Sequence, residues 1–122
     1  MYNHKESFED YLEKIIMAKE IYPLLRAVDL AKYIGFSKPS VSVALKKLKE
    51  QGYINIDSKT GEIILTDVGY QIGNKTLEKH QLLTDLLTSL GVNKKTAELD
   101  ACKIEHLLSE ETFDRIKDFK NK

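Results

Sequence analysis

The chain has 122 residues, enough for one domain or two very small subdomains, and carries 19 basic and 19 acidic side chains. With 42% hydrophobic and 31% charged residues, it is too apolar and too balanced in charge for a disordered protein. No apolar run reaches the roughly 18 residues of a membrane span, the polar start is unlike a signal peptide, and one cysteine excludes an internal disulfide framework. These features favour a protein of the reducing cytoplasm.

An amphipathic helix is predicted first, over residues 7–22, because apolar side chains recur there at spacings of three and four. Ser7 is its expected N-cap. Asp10 and Glu13 lie three residues apart, which puts both carboxylates on one face of the helix. The pair either complements the positive end of the helix dipole or supplies ligands to a cation, and the helix alone leaves both interpretations open.

Two short helices follow, over residues 28–33 and 38–51. Gly35 is a suitable residue for the end of the first, and Ser37 for the N-cap of the second. Strand-period alternation over 53–57 and 62–65, around a polar turn, predicts a β-hairpin directly behind the second helix. A helix-turn-helix followed by such a hairpin is a winged helix-turn-helix, which is a DNA-binding arrangement.

Positive charge is concentrated in this segment although the total is zero. Residues 37–59 contain five lysines against two acidic residues, a local charge of +3, whereas the first 13 residues hold one lysine against four acidic residues, a local charge of −3. A local lysine surplus favours contact with the DNA backbone. The second helix has no arginine for a bidentate guanine contact, so readout is expected to use DNA shape, proline and serine contacts, and dimer spacing. The candidate DNA-binding residues are Ser37, Lys38, Pro39, Ser40, Ser42, Lys46 and Lys59.

Three helices are predicted after the hairpin, over 67–90, over 94–108 and near the end of the chain. Their apolar stripes favour a helical core that pairs with a second copy. Cys102, Glu105 and His106 are three and four residues apart and so share a helix face. Thiolate, carboxylate and imidazole together suit Fe(II), Co(II), Ni(II) or Zn(II), although a lone cysteine is more often a small buried hydrophobe.

Five segments together resemble the iron- and manganese-dependent repressors of the diphtheria toxin repressor family, over essentially the whole chain. They are Glu9-Asp10-Tyr11-Leu12-Glu13, Ser37-x-Pro39-Ser40-Val41-Ser42, Leu65-Thr66-x-x-Gly69, His80, and Ala101-Cys102-x-x-Glu105-His106-x-x-Ser109. The last of them is quite specific for this family.

The resemblance implies a mainly α protein in two parts. A winged helix-turn-helix domain is expected over residues 1–66, and an all-helical metal-binding and dimerisation domain over residues 67–122. The implied function is that of a cytoplasmic homodimer that binds a palindromic DNA operator, as a transcriptional repressor, with Fe(II) or Mn(II) as corepressor. Zinc, cobalt or nickel would substitute in vitro.

The implied metal ligands combine features of two branches of the family. Asp10 matches the manganese-type proteins, whereas Cys102 matches the iron type. Thr84 stands where the ancillary site of the iron type has a glutamate, and Glu98 stands where it has a histidine. This hybrid set leaves the choice between Fe(II) and Mn(II), and the number of ions, open. The implied ligands are Asp10, Glu13, His80, Glu98, Cys102, Glu105 and His106.

Other functions make different predictions. A metal-independent winged-helix regulator that answers to redox or to a small molecule would still repress after Cys102→Ala and His106→Ala substitution. A protein-interaction module would show no salt-dependent DNA binding. An enzyme such as a zinc hydrolase is not expected, because the sequence has no His-Glu-x-x-His motif, no glycine-rich phosphate loop and no Ser–His–Asp arrangement.

Overall fold

A computed structural model describes residues 4–121, with side chains over 8–121. The chain folds into two compact units, one ending at Asn74 and the other beginning at Lys75. None of the helices in the described range has the length and apolarity that crossing a bilayer requires. The elements in chain order are α1 (His4–Ile21), α2 (Ala27–Ile34), α3 (Lys38–Glu50), β1 (Ile54–Ile56), β2 (Ile63–Leu65), α4 (Asp67–Ser89), α5 (Lys94–Ile104) and α6 (Glu110–Lys120).

The N-terminal unit is a winged helix-turn-helix, as predicted, with α1 to α3 and the hairpin around one apolar core. Each helix contributes side chains at spacings of three and four, and each strand contributes one isoleucine. Burying each of these side chains contributes about 1.5–3 kcal/mol of hydrophobic stabilisation. The fully or almost fully buried set includes Leu12, Ile15, Leu30, Val41, Leu45, Leu48, Ile54 and Ile63.

The turn between α2 and α3 uses the two residues that the sequence singles out. Gly35 has φ 87°, a left-handed conformation that glycine adopts without a steric penalty, and its N–H donates to the Ala31 carbonyl over 2.9 Å. Ser37 then caps α3, because its hydroxyl oxygen accepts from the Ser40 N–H at 3.3 Å. The angle between the two helices is therefore set by local backbone chemistry.

The hairpin is antiparallel, with Asn55 opposite Ile64, and its second strand is bonded on both sides. The Asp57 N–H donates to the Glu62 carbonyl on the side facing β1. On the opposite side, the Ile63 N–H donates to the Leu25 carbonyl at 2.8 Å, and the Lys19 ammonium donates to the Ile63 carbonyl at 2.7 Å. The hairpin is thus joined to α1 and to the loop that follows it.

Thr66 and Gly69 connect the hairpin to α4 through hydrogen bonds and close backbone packing. The Thr66 hydroxyl donates to the Gly52 carbonyl at 2.8 Å, with the Tyr53 carbonyl also within reach at 3.1 Å, and accepts from the Gly69 N–H at 3.1 Å. Gly69 passes so close to the hairpin that a Cβ atom there would lie 2.0 Å from the Tyr53 carbonyl oxygen. The structure therefore explains the segment Leu65-Thr66-x-x-Gly69. Thr66 caps the start of α4 with its hydroxyl, and Gly69 has no side chain to collide with the hairpin.

The C-terminal unit consists of the later turns of α4, together with α5 and α6. Leu83 and Phe113 are its large buried apolar side chains, and Ala97 and Ala101 form the buried stripe of α5. Ser109 caps α6 by accepting from the Thr112 N–H at 3.1 Å. Exposed ion pairs join α6 to α4, among them Lys75 to Glu110 at 2.8 Å.

Two predicted helix boundaries were wrong. The first helix begins at His4, so Ser7 lies inside α1 and is not its N-cap, because residues 4–6 contain no glycine or proline that would end the helix. Helix α5 ends at Ile104 instead of 108, and Glu105 is its C-cap. No glycine or proline marks that end in the sequence. The next helix begins only after its N-cap, Ser109.

Candidate functional site

The outer surface of α3 carries the predicted DNA-binding residues. Val41, Leu45 and Leu48 face the core, while the serines, the proline and the lysines are exposed. In a helix-turn-helix, the first turns of the second helix enter the major groove. The structure brings six of the seven candidates together on this helix and its cap: Ser37, Lys38, Pro39, Ser40, Ser42 and Lys46.

The hydroxyl of Ser37 is engaged in capping. It accepts from the Ser40 N–H and donates to the Ser40 hydroxyl oxygen at 2.9 Å. A hydroxyl has one proton to donate, so Ser37 keeps none for a phosphate or base in this conformation. Ser40 keeps its own hydroxyl proton, and the exposed Ser42 lies half a turn further along α3.

The seventh candidate, Lys59, is exposed at the tip of the wing. Its N–H donates to Asp57 Oδ1 at 2.7 Å, and the Thr60 N–H donates to the same oxygen at 2.9 Å. These bonds, with that from Thr60 the larger cause, hold the pKa of the Asp57 carboxyl below its usual value. The carboxylate fixes the turn that presents Lys59 to the solvent.

Val43 is not among the predicted DNA-binding residues, although it is exposed on α3. Its side chain is 55% exposed, and it lies two residues from both Val41 and Leu45, on the opposite side of α3. The sequence contains a sign of this exposure, because Val43 is an apolar residue outside the stripe of core residues and so departs from the helical pattern.

Three of the predicted metal ligands meet within the C-terminal unit. His80 Nδ1, on α4, lies 3.0 Å from Glu105 Oε2, and His106 Nε2 lies 3.5 Å from Glu105 Oε1. The side chains of Glu105 and His106 are 0% and 2% exposed. A buried carboxylate is stable only with such partners, and imidazole nitrogens beside carboxylate oxygens are the ligand atoms of divalent transition metals. The chemistry of this donor set therefore fits a metal ion.

Cys102 and Glu98 precede this cluster on α5. The spacing argument for Cys102 and Glu105 survives the earlier end of α5, because the Glu105 backbone keeps helical angles and its N–H donates to the Ala101 carbonyl at 2.9 Å. Cys102, the one cysteine of the sequence, is half-buried. Glu98 lies one turn earlier, and its side chain is exposed.

Asp10 and Glu13 lie in the N-terminal unit, one turn apart on α1. Asp10 is half-buried, and Glu13 is only 2% exposed although it is a carboxylate. Burial of Glu13 argues against the dipole interpretation of this pair, which needs only an exposed charge near the start of the helix. The predicted ligands are thus divided between the two units of the chain.

Two family models match this chain, one over its N-terminal part and one over its C-terminal part. Residues 4–61 match the model described as the iron dependent repressor N-terminal DNA binding domain. Residues 66–122 match the iron dependent repressor metal binding and dimerisation domain.

Two relatives extend over almost the whole chain. An uncharacterized HTH-type transcriptional regulator of Methanocaldococcus jannaschii is 39% identical over 119 residues, covering 96% of this chain and 94% of that protein. The HTH-type transcriptional regulator MntR of Listeria monocytogenes is 37% identical over 112 residues, covering 92% of this chain and 78% of that protein.

Solved structures agree with these matches. The metal-dependent transcriptional regulator MtsR superposes with a TM-score of 0.83 at 31% identity, over 93% of this chain and 53% of that one. A manganese-dependent transcriptional repressor in complex with manganese superposes with a TM-score of 0.76 at 29% identity, over 91% of this chain and 51% of that one. This chain therefore spans about half of each of these two chains.

Proposed function

Because this chain belongs to the iron-dependent repressors, a family of metal-dependent transcriptional regulators with a DNA-binding and a dimerisation domain, we propose that Fe(II) or Mn(II) is its corepressor on a palindromic operator. It is a regulator and not an enzyme. The DNA-binding part is assigned to residues 1–66, and the metal-binding and dimerising part to 67–122. The proposed location is the cytoplasm, where the DNA lies in a reducing environment that keeps a cysteine thiol reduced.

The observation that carries the proposal is the buried His80–Glu105–His106 cluster. Two imidazole nitrogens face the two oxygens of one carboxylate, inside a domain whose family model is described as metal binding. When bound, the ion supplies a double positive charge that attracts carboxylates from separate parts of the chain. Glu105 brings one ring nitrogen of His80 and one of His106 to the two oxygens of its carboxylate.

The other predicted ligands complete the proposed set. Asp10 and Glu13 would add hard oxygen ligands from α1, and Cys102 would add a softer sulfur ligand from α5. The donor chemistry and the family resemblance support this assignment, as does the burial of Glu13. Glu98 would serve an ancillary ion, for which its exposed position offers little protection from water.

On the DNA side, we assign groove contacts to the first turns of α3 and phosphate contacts to the lysines. Pro39, Ser40 and Ser42 lie where base edges would be met, while Lys38, Lys46 and Lys59 are the candidates for the backbone. Ser37 contributes mainly by capping α3, since its hydroxyl proton is already bonded. These lysines should make affinity fall steeply with added salt.

The test is an anaerobic band-shift titration of the full chain on an operator selected from random duplex DNA. Fe(II) or Mn(II) should tighten binding by about 5- to 150-fold, the usual range of such coupling. His106→Ala should lose most of this metal response while keeping the weak metal-free binding. Asp100→Asn, an exposed change on α5 six residues before His106, is the matched control and should respond like the natural chain.

Two results would contradict the proposal. Equal affinity for DNA with and without either ion would remove the corepressor role. A full metal response in a Cys102→Ala, His106→Ala double variant would remove these residues from the site, whereas repression that needs no metal would favour a metal-independent regulator.

A further inference from the structure

The outward side of α3 has an apolar centre. All thirteen residues of this helix are described, and Val43 is the one exposed large hydrophobic among them. At about 100° per residue, Val43 lies about 200° from Val41 and from Leu45, which are both buried. It therefore points directly away from the core that holds the helix in place.

The neighbours of Val43 on this side are suited to DNA. Pro39 and Lys47 lie four residues before and after it, and Ser40 and Lys46 lie three residues before and after it. All four are exposed. Residues three and four apart share a helix face, so Val43 has lysines on one side and the first turn of α3 on the other. An apolar side chain at the middle of this surface faces water unless the partner offers an apolar group.

The major groove offers one apolar group, the methyl at C5 of thymine. Valine has neither a donor nor an acceptor, so it cannot read the polar edges of the other bases. Arginine, asparagine and glutamine are absent from α3, so the usual bidentate contact to adenine has no side chain there and a contact to guanine is left to the lysines. Methyl recognition is the readout that remains open to this position.

We propose that Val43 is a specificity-determining residue that contacts the C5 methyl of a pyrimidine, thymine in unmodified DNA, in each operator half-site. The inference rests on the proposed function and adds a base preference to it. A 5-methylcytosine at the same position offers the same group, so the chemistry is defined by the methyl and not by the base pair.

The experiment replaces operator thymines one at a time by deoxyuridine, which removes only the methyl. The operator is first selected from random duplex DNA with the full chain loaded with Mn(II). One or two thymines per half-site should then show a roughly 3- to 10-fold loss of affinity, which corresponds to about 1 kcal/mol. Putting 5-methylcytosine in place of cytosine at that position should recover most of the loss caused by a thymine-to-cytosine change.

Variants link the effect to the residue. Val43→Ala removes two exposed methyl groups and no core contact, so it should fold normally and lose the deoxyuridine sensitivity at those thymines. Lys47→Ala is the control on the same surface. It should weaken binding to all operators and keep the sensitivity.

Three outcomes overturn the inference. They are unchanged affinity with deoxyuridine at every thymine, an unchanged deoxyuridine sensitivity in Val43→Ala, and no recovery of affinity with 5-methylcytosine. Failure of the selection to enrich any sequence, with or without Mn(II), is a different result, because it contradicts the proposed function itself.

Discussion

At the residue scale, Gly69 shows how a missing side chain sets the position of an element. The hairpin carbonyl of Tyr53 occupies the space that a Cβ would need, at 2.0 Å from it. We expect Gly69→Ala to lower the free energy of unfolding by about 3 kcal/mol, the upper part of the usual range for overpacking, because backbone must move. Urea unfolding would measure the loss. Gln71→Ala, an exposed change in the same helix, should be nearly neutral.

In the proposed ligand set, Cys102 is the residue on which the choice of metal depends most. A Cys102→Glu variant replaces a soft sulfur ligand by a hard oxygen, and we expect it to shift the ratio of Kd values toward Mn(II) and away from Zn(II) and Co(II). Isotherms for the three ions in the absence of oxygen would measure the ratio. An unchanged ratio, with all three affinities preserved, would mean that the thiol does not reach the ion.

Single residues were predictable from the sequence to different degrees. Gly35 and Ser37 were assigned correctly because helix ends have strong local preferences. The close approach at Gly69 could not be derived, since it depends on a carbonyl of the hairpin 16 positions earlier in the sequence. The exposure of Val43 was not predicted, because it shows in the sequence only as a break in the apolar pattern of α3.

At the element scale, the wing depends on one carboxylate. Two backbone amides hold the pKa of Asp57 below its usual value. Because the folded pKa is the lower one, the stabilisation is present above the unfolded pKa of about 3.9 and is lost as the pH falls through the folded pKa. NMR should show the Lys59 and Thr60 amide signals moving together below about pH 4. In Asp57→Asn, which keeps an acceptor oxygen, these signals should stay constant.

Helix α6 is attached to its unit mainly through Phe113. This side chain is 3% exposed, and the ammonium groups of Lys79 and Lys117 lie 5.5 and 5.8 Å from its ring centroid. We expect Phe113→Ala to cost about 3–5 kcal/mol in urea unfolding at a fixed protein concentration. Glu110→Gln removes only exposed ion pairs and should change the midpoint little. A larger effect from Glu110→Gln than from Phe113→Ala would contradict this order.

The order and type of the elements followed from periodicity, whereas some of their ends did not. The predicted range 38–51 and the observed α3, Lys38–Glu50, agree because a serine cap begins the helix and Gly52 follows its end. Helix α5 was predicted four residues too long because nothing local stops it at Ile104. The end of α5 matters for the site, since it places Glu105 at the C-cap, where its backbone still continues the helical path.

At the scale of the whole molecule, metal and DNA should affect each other equally. If the ion tightens operator binding by some factor, the operator must tighten metal binding by the same factor, because both routes lead to the same complex. Metal isotherms with saturating operator, with scrambled DNA and without DNA would measure this. Different factors along the two routes would show a further state, such as a change in oligomeric state during the titration.

The neutral total charge conceals how charge is distributed along the chain. The described lysines of the recognition helix and wing are exposed, whereas the carboxylates of Glu13 and Glu105 are buried. The sequence predicted the basic segment, and its assignment of metal ligands stays a prediction. It could not predict which carboxylates are buried, because burial depends on packing between segments that are far apart in the sequence.

The second strand of the wing also has a consequence for solubility at high concentration. The exposed edge of a sheet is a template on which another chain can add a strand. Here the N–H and the carbonyl of Ile63 on the outer edge are already bonded to Leu25 and Lys19, and each strand has only three residues. The wing therefore does not offer that edge to misfolded or neighbouring copies, and Lys19→Ala would free only the Ile63 carbonyl, because the Ile63 N–H would stay bonded to Leu25.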